Sequence, residues 1–380
     1  MFSRSTPEPP PAPPANAETR FSLPELRKLH KQLVENKRVN DNNQNLVVEI
    51  LRVIAEMVVY GDNKSELLFD FFCEKNMLSL FLEIMGNPTN GCGSAVHIQI
   101  LQTLSILISC VRNETSLYYL LSNNYVNEII NYPHDFMNDE SLCAQFASFM
   151  KTLSLKLNIH TVQFFFIEET GAFPILTRAV ELLTIPDPMI RIASQSTILN
   201  VYRVEDSRAR AYALQDEVMG IMFAQTVNFM ENQYHTIFKT CKMYYKACNA
   251  NDEAESTKME SKIDDILSSM EDWFYYLQDL LDLDVPILRK ALVHQLIHDF
   301  LLPVLLGPLL KHHSVYVDEG TDAAVISSFI VTVSFYDCGC ATWSSFISAS
   351  QLYHVSFTHF LILNPLHYPH REIKAAHWPG

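Results

Sequence analysis

Basic residues are scarce in this sequence of 380 residues: 28 lysines and arginines stand against 43 aspartates and glutamates, for a formal net charge of −15. The imbalance is greatest between residues 251 and 284, where eleven acidic residues accompany two lysines. A protein that grips duplex nucleic acid needs clustered Lys and Arg to displace counterions from the phosphates. The sequence therefore argues against nucleic acid as a partner.

A secretory leader and a membrane-length apolar run are also missing. Residues 1–20 hold six prolines between Pro7 and Pro14 and no apolar core, so they predict a disordered, partly polyproline arm rather than a signal peptide. The apolar run from Leu301 to Pro308 is too short and too broken by proline to cross a bilayer. The eight cysteines are scattered instead of forming a dense disulfide framework. We expect a cytoplasmic protein with reduced thiols.

Motifs for catalysis and metal binding are incomplete. His294 and His298 have the i, i+4 spacing that can hold zinc, but Gln295 occupies the place of the catalytic glutamate in HExxH, which favours a histidine pair without a metal. A second set of soft ligands consists of His312, His313, Cys338 and Cys340. Their Cys-x-Cys spacing departs from the usual zinc-site separation.

No Ser/His/Asp arrangement, P-loop or nucleophile elbow can be recognised in the sequence. We therefore predict no catalytic residue, no cofactor and no metal. The alternative to a protein without catalytic residues is a hydrolase within an all-helical fold. It would require a pocket in which titratable groups converge.

The sequence does contain a helix-pair pattern that recurs four times at spacings of about 45 to 50 residues. The first helix of each pair is an apolar run, and a polar bend and a second apolar run follow it. These first runs are Glu49–Val58, Gln99–Ile108, Met150–Leu157 and Thr197–Tyr202. One such unit cannot bury its apolar face alone, so neighbouring units must stack. We predict an all-α, armadillo/HEAT-like α-solenoid of stacked helix pairs, which usually binds other macromolecules.

Apolar periodicity also predicts helices over Thr161–Ile167, Met219–Gln233 and His235–Ala247. The polar stretch Asn249–Thr257 predicts a surface loop. An apolar seam with alternating spacings of four and three follows: Met259, Ile263, Ile266, Met270, Trp273, Leu277 and Leu280. Such a seam either covers a neighbouring helix or forms a dimer. Its short length favours a long solenoid helix that covers its neighbour.

An amphipathic helix is predicted from Leu23 to Glu35. Basic residues lie on and beside it: Arg20, Arg27, Lys28, Lys31, Lys37 and Arg38. Such a helix would be able to contact anionic lipid at a membrane surface. Acidic residues between Glu8 and Asp41 dilute its charge, which favours the solvated face of a capping helix.

Several strings of the sequence resemble a known family. In chain order they are FDFFCEKNM (69–77), QILQTL (99–104), SLYYLLSNNYVN (116–127), KTLSLKLN (151–158) and LNVY (199–202). From about Phe21 to Leu310 the chain resembles the FPL-domain region of the Ema family, the endosomal-maturation-defective protein of flies and its animal and plant relatives. The motif that names the domain falls on Phe173-Pro174-Ile175, where isoleucine replaces leucine.

The resemblance implies a non-enzymatic scaffold in membrane traffic, which supports endosome maturation, delivery to the lysosome or vacuole, and autophagy. It implies a peripheral location at endosomal and lysosomal membranes and protein partners from tethering complexes. An adaptor or regulator of a ubiquitin ligase in mitophagy and protein turnover is the alternative. The expected organisation is the arm over 1–20, an FPL-type armadillo-like helical domain over 21–310, and a poorly ordered tail over 311–380 that departs from the family pattern.

The candidate partner-binding residues lie at polar bends between predicted helices, which a partner can reach. They are Asn123, Asn124, Tyr125, Asn158 and His160. Their alternative role is to cap helix ends.

Armadillo proteins that bind extended peptides often clamp the peptide backbone with a ladder of asparagine amides. The aligned positions hold Glu56, Ile106, Leu155 and Asn200. Because only one of the four is asparagine, we do not predict importin-like peptide capture.

Overall fold

The computed structural model describes residues 21–64, 66–87, 94–133 and 139–306, and most of these are helical. The helices are α1 (Leu23–Glu35), α2 (Gln44–Lys64), α3 (Glu66–Glu74), α4 (Met77–Gly86), α5 (Ala95–Cys110), α6 (Glu114–Leu121), α7 (Tyr125–Asn131), α8 (Glu140–Ser154), α9 (Pro174–Leu182), α10 (Pro188–Arg203), α11 (Ser207–Ala213), α12 (Asp216–Asn249), α13 (Glu253–Asp282) and α14 (Pro286–Gln295). A 3₁₀-helix, Val162–Phe164, precedes α9, and a π-helix, Leu296–Leu306, follows α14. The predicted arm over 1–20, the tail over 311–380 and the set of His312, His313, Cys338 and Cys340 lie outside the described residues.

The helices stack in two rows. In the first row, which we call the ladder row, α2 packs on α5, α5 on α8, α8 on α10, and α10 on α13. In the second row, α4 packs on α7, α7 on α9, and α9 on α12. Each row advances by one helix per repeat, and the rows pack against each other along their length. The predicted all-α solenoid is confirmed.

Hydrogen bonds between neighbouring units show the repeat directly. Five of them join side chains to groups 46 to 49 positions away along the chain: Tyr119 Oη to Cys73 O, Tyr125 Oη to Asn76 Oδ1, Tyr132 Oη to Met85 O, Arg178 Nε to Ile130 O, and Asn200 Nδ2 to Ser154 Oγ. Their separations match the predicted period. Each bond also fixes the register of one unit on the next.

A left-handed backbone residue recurs at the start of the second-row helices. Asn76 (φ 47°) directly precedes α4, and Asn124 (φ 61°) directly precedes α7. Gly171 (φ 64°) stands in the corresponding turn before α9. Glycine and asparagine enter this region at the lowest cost, because other side chains crowd the backbone there. These three residues turn the chain from one helix into the next.

The buried core runs through both rows without interruption and is rich in large side chains. Phe72, Phe81, Phe146, Phe149 and Trp273 are fully buried in it. Each such side chain contributes about 1.5–3 kcal/mol through the apolar surface that it removes from water. A single helix pair lacks partners for these residues, so the stack is the smallest stable unit.

Two predictions about the long helices need correction. The chain forms one helix, α12, where we expected two over Met219–Gln233 and His235–Ala247. Tyr234 is buried at the expected break, and no glycine or proline interrupts the helix there. The loop expected over Asn249–Thr257 shrinks to residues 250–252, since the side chain of Asp252 accepts a hydrogen bond from the backbone N–H of Glu255 and starts α13.

The helix expected over Thr161–Ile167 is also wrong. The segment holds the short 3₁₀-helix, and Ile167 then pairs with Ala172 in an isolated antiparallel bridge. Thr161 Oγ1 donates to the carbonyl of Lys156, 2.5 Å away, which closes a turn instead of continuing a helix.

Two other predictions are confirmed. Helix α1 has the expected bounds, Leu23–Glu35. The apolar seam of α13 covers a neighbouring helix, since Trp273 stacks on Phe229 of α12 with ring centroids 4.7 Å apart.

Candidate partner-binding surface

The predicted residues Asn123, Asn124 and Tyr125 form the turn between α6 and α7. Asn123 and Asn124 both have positive φ and exposed side chains. The Tyr125 hydroxyl donates to Asn76 Oδ1 at 2.9 Å, which ties this turn to the equivalent turn of the preceding unit. Tyr125 therefore holds two successive turns in register.

Asn158 and His160 lie in the turn after α8. Asn158 Oδ1 accepts hydrogen bonds from the backbone N–H groups of His160 (2.8 Å) and Thr161 (3.1 Å). The backbone N–H of Asn158 donates in turn to Thr161 Oγ1 at 2.9 Å. Asn158 thus performs the local capping role that the sequence offered as the alternative to partner binding. The side chain of His160 is exposed.

Asn127 joins these two groups of predicted residues. Its buried side-chain amide donates to Asn124 Oδ1 (3.0 Å) and to the carbonyl of Phe164 (2.9 Å), just beyond the Asn158 turn. The structure therefore brings the predicted residues together along one edge of the stack. We call this edge, formed by Asn76, residues 123–125 and residues 158–160, the turn edge. Its amides serve the fold, and contact with a partner there stays a prediction.

A second surface lies on the exposed sides of α5, α8 and α10. Helix α5 contains no charged residue in its 16 positions. Exposed aliphatic side chains lie on α5 and α10 and at the C-cap of α8: Ile106 (41% exposed), Ile192 (38%) and Leu155 (67%). Ser148 on α8 and Ser196 on α10 lie on the same sides of their helices, as do the charged Lys151 and Arg203. We call this surface, defined by Ile106, Ser148, Leu155, Ile192 and Ser196, the ladder face.

The ladder face has the composition of a protein-binding surface. Cores of protein interfaces are depleted in charged side chains, because desolvating a charge costs more than an aliphatic contact returns. Lys151 and Arg203 are the exposed charges within α8 and α10 after their first turns. The formal charge of the chain is concentrated elsewhere, on α13 above all. A partner that covers this face therefore meets few charges, those of Lys151 and Arg203.

The two ends of the ladder row differ in charge. On α2, Arg52 hydrogen-bonds both Glu49 and Glu56, so these charges are compensated within one helix. These bonds, first of all that to Glu49, raise the pKa of the Arg52 guanidinium. On α13, exposed acidic residues recur every seven positions at Asp265, Asp272 and Asp279.

Arg191 fixes α13 beside α10. Its side chain is buried, and its guanidinium carbon lies 4.6 Å from the centroid of the Phe229 ring. Nη1 donates to the carbonyl of Pro186 and Nη2 to Ser269 Oγ, each at 3.3 Å. Burial lowers the pKa of this guanidinium. The stack of Arg191, Phe229 and Trp273 thereby joins the last repeat to the long helical hairpin.

Burial shifts the pKa values of several side chains away from their usual values. Burial raises the pKa of the Cys73 thiol to about 12 and that of the Cys143 thiol to about 11, and it raises the pKa of Tyr119 to about 12. It also lowers the pKa of His97. All four shifts favour the neutral side chain. Such groups are poor nucleophiles and bases, because the thiolate or the imidazolium is disfavoured.

His294 and His298, the predicted pair, are exposed, with ring centroids 4.4 Å apart. In the part of the chain that the structure describes, no group of three or more His, Cys, Asp or Glu side chains is arranged to hold a metal ion.

None of the helices within the described ranges combines the length and the hydropathy of a membrane span.

Stacked helix pairs with a sparsely charged, aliphatic face define an α-solenoid of the kind that binds proteins. Residues 51–202 match the FPL family, which is described as an uncharacterised conserved protein. The chain is 39% identical over 287 residues to Protein CLEC16A homolog of Drosophila melanogaster, covering 76% of this chain and 26% of that protein. It is 39% identical over 284 residues to Protein CLEC16A of Homo sapiens, covering 74% of this chain and 26% of that protein.

A plant relative shows the same similarity. The chain is 32% identical over 323 residues to Protein TRANSPARENT TESTA 9 of Arabidopsis thaliana, covering 84% of this chain and 37% of that protein. Residues 51–202 thus carry an FPL domain, and the chain is a homologue of CLEC16A/Ema proteins over most of its length, as its sequence strings indicated. It spans between about a quarter and two fifths of the length of these relatives.

Among solved structures, the chain is similar to the designed armadillo repeat protein YIII(Dq.V1)4CPAF in complex with peptide (KR)4. The TM-score is 0.41 at 12% identity, over 80% of this chain and 99% of that one. A second designed armadillo repeat protein, YIII(Dq)4CqI, gives a TM-score of 0.34 at 13% identity, over 72% and 99%. The fold assignment rests on the packing of the helices themselves.

Sequence reasoning found the turn edge and missed the ladder face. It examined Ile106 and Leu155 only as places where asparagine would stand in a peptide-clamping ladder. The signal that reveals the face is the lack of any charged residue in α5, followed by exposed aliphatic residues at the C-cap of α8 and on α10. That pattern gains meaning once the three helices are known to be neighbours.

Proposed function

We propose that the chain is a non-enzymatic scaffold in membrane traffic, which supports endosome maturation, delivery to the lysosome or vacuole, and autophagy. It works in the cytoplasm, peripherally at endosomal and lysosomal or vacuolar membranes, through contacts with subunits of tethering complexes. Homology to CLEC16A proteins supports the cellular process. The ladder face is the observation that carries the scaffold role.

Burying the ladder face stabilises a complex for a simple reason. Covering an exposed aliphatic side chain completely contributes about 1.5–3 kcal/mol. Leu155, at 67% exposed, has the most to gain on this face. The neighbouring serines add hydrogen-bonding capacity without a charge to desolvate. These energies favour association, and the neutral buried thiols give no corresponding support to catalysis.

Proximity labelling in living cells tests this function. The full chain, fused to a labelling enzyme, is expected to label endosomal and lysosomal proteins together with tethering-complex subunits. Leu155→Asp is expected to lose that set, because it places a charge at the centre of the ladder face. Leu67→Asp is the matched control, since Leu67 is 62% exposed on α3, away from the face. Labelling confined to the nucleus or the bulk cytosol would contradict the proposal.

The same experiment separates the alternative, an adaptor of a ubiquitin ligase. Recovery of a ligase without tethering-complex subunits, lost in Leu155→Asp and kept in Leu67→Asp, would support the adaptor. Both functions use the ladder face, so the identity of the labelled proteins decides between them.

A further inference from the structure

The ladder face continues onto an acidic surface, and this continuity indicates what the face binds. We propose that it takes an amphipathic α-helix of a partner protein, with aliphatic side chains over α5, α8 and α10 and with lysine or arginine side chains at the end that lies over α13. The inference deepens the proposed function, on which it rests, by stating the chemistry of the partner.

The packing of α13 turns its acidic stripe toward the ladder face. Ser269 of α13 contacts Arg191 of α10, and Trp273 contacts Phe229 of α12. Two sides of α13 are thus covered, one by α12 and one by α10. The third side of α13 is exposed to solvent and adjoins the exposed side of α10. Asp265, Asp272 and Asp279 stand on that side, one heptad apart, and all three are exposed.

Few positive charges lie close to the acidic stripe of Asp265, Asp272 and Asp279. Among the described residues, Asp265, Asp272 and Asp279 form no ion pair within 4.0 Å, although Asp272 interacts electrostatically with the buried Arg191. Tyr275 lies on the same side, 44% exposed, and its hydroxyl donates to Glu271 Oε1 at 3.2 Å. Basic side chains of a partner would meet both carboxylates and an aromatic ring there. Their charge is complementary to this end of the face.

The side chains of the face favour a helix over an extended peptide. An extended peptide brings unpaired backbone N–H and C=O groups, which must find partners when they are covered. Ile106 and Leu155 stand where peptide-binding armadillo proteins place asparagine amides, and they offer no hydrogen bonds. A helix satisfies its own backbone and presents only side chains. A helix can therefore lie on this face without leaving backbone hydrogen-bonding groups unpaired, whereas an extended peptide cannot.

The dimensions of the ladder row set the length of the partner helix. Packed helices lie about 8–10 Å apart, so the row from α5 to α13 spans about 30 Å. A helix of about 20 residues has that length. Its aliphatic stripe would run over α5, α8 and α10, and its basic residues would lie over α13.

Selection from a phage-displayed library of helical peptides of this length, against the full chain, tests the proposal. Enriched helices are expected to combine an aliphatic stripe with lysine or arginine concentrated at one end. Their affinities are then measured by fluorescence anisotropy on synthetic peptides. Failure to enrich any helix, or enrichment of helices without a basic end, would overturn the inference.

Matched variants locate the binding. Leu155→Asp and the double variant Asp272→Lys/Asp279→Lys are each expected to weaken the selected helix at least about tenfold. Leu67→Asp and Glu128→Lys/Glu169→Lys, which change equally exposed residues away from the face, are expected to leave affinity unchanged. A peptide whose basic end is replaced by glutamates should regain binding to Asp272→Lys/Asp279→Lys. Equal losses in the test and control variants would place binding elsewhere.

Two further outcomes are decisive. If sedimentation of the full chain shows a dimer that Leu155→Asp dissociates, a second copy occupies the face and the partner helix is wrong. If no helix binds while Leu155-dependent endosomal labelling persists, the helix inference fails and the scaffold function stands.

Discussion

At the residue scale, the left-handed asparagines set the geometry of the repeat. Asn124 combines φ of 61° with a side chain that accepts a hydrogen bond from Asn127. Few other residues do both, since a β-branched side chain clashes with the backbone in this region. The turn between α6 and α7 therefore depends on the chemistry of one amide.

Asn124→Val is expected to lower the free energy of unfolding by about 1–3 kcal/mol, because it adds left-handed strain and removes the hydrogen bond to Asn127. Asn124→Gly is expected to cost less, since glycine relieves the strain. Urea unfolding followed by circular dichroism measures both. Equal stability of the valine and glycine variants would show that the turn does not constrain its backbone.

Two cysteines are expected to resist alkylation. Burial raises the pKa of Cys73 to about 12 and that of Cys143 to about 11, so at pH 8 almost none of either thiol is ionised. Of the five cysteines that the structure describes, iodoacetamide at pH 8 should label the exposed Cys110 and Cys248 first, and peptide mass spectrometry reads each site. Labelling of Cys73 and Cys143 is expected only after unfolding in urea. Rapid labelling of Cys143 in the folded protein would contradict its burial.

At the element scale, a single carboxylate starts the ladder helix α8. Asp139 Oδ1 accepts from the backbone N–H of Leu142 at 2.8 Å, and the Ser94 hydroxyl donates to Asp139 Oδ2. These hydrogen bonds, first of all that from Ser94, hold the pKa of Asp139 below its usual value of 3.8. Asp139 thus begins α8 and also joins it to the residue that precedes α5.

Asp139→Ala is expected to cost about 1 kcal/mol of stability at pH 7, as expected for the loss of an N-cap. The folded-state pKa is depressed, so the contribution of the carboxylate is present above pH 3.8 and is lost as pH falls through the folded-state pKa. The stability difference between wild type and Asp139→Ala should therefore shrink below pH 4. Thermal unfolding from pH 3 to pH 7 measures it. Asp139→Asn, which keeps an acceptor, is the control, and its cost should vary less with pH.

The hairpin of α12 and α13 is expected to be least protected at its tip. Ala247 and Met259 are buried against each other's helices, but they lie outside the core that runs through the repeats, whereas Ile237 and Ile266 belong to it. Amide hydrogen exchange should therefore be faster over residues 242–262 than over 223–237 and 266–281. Equal protection along the hairpin would show that another surface supports the tip.

Sequence patterns predicted the architecture better than the element ends. The period near 47 residues and the bounds of α1 follow from apolar spacing, which depends only on local sequence. The continuity of α12 does not, because Asn232, Gln233 and His235 form a polar run that looks like a break until the burial of Tyr234 is known. The turn edge was predictable from its asparagines. The ladder face was not, since it combines three helices that are distant in sequence.

At the scale of the whole molecule, stability comes from neighbouring units. Each ladder helix from α5 to α10 packs on two others of its row, whereas α2 packs on one. In such a linear array, stability is roughly a sum of unit terms and nearest-neighbour terms. The response to a core substitution should therefore depend on its place in the stack.

Leu51→Ala in α2 and Leu153→Ala in α8 compare an end unit with a central one. Both side chains are fully buried, and each loss is expected to cost about 2–5 kcal/mol locally. Amide exchange in Leu51→Ala should accelerate mainly within residues 21–87, because the later units keep their neighbours. Leu153→Ala should accelerate exchange on both sides, in α5 and in α10, because it weakens two interfaces at once. Uniform acceleration over residues 21–306 in both variants would mean that the chain unfolds as one cooperative body instead of a linear array. In that case a partner on the ladder face would stabilise all the units equally, whereas in a linear array it protects the units it covers most.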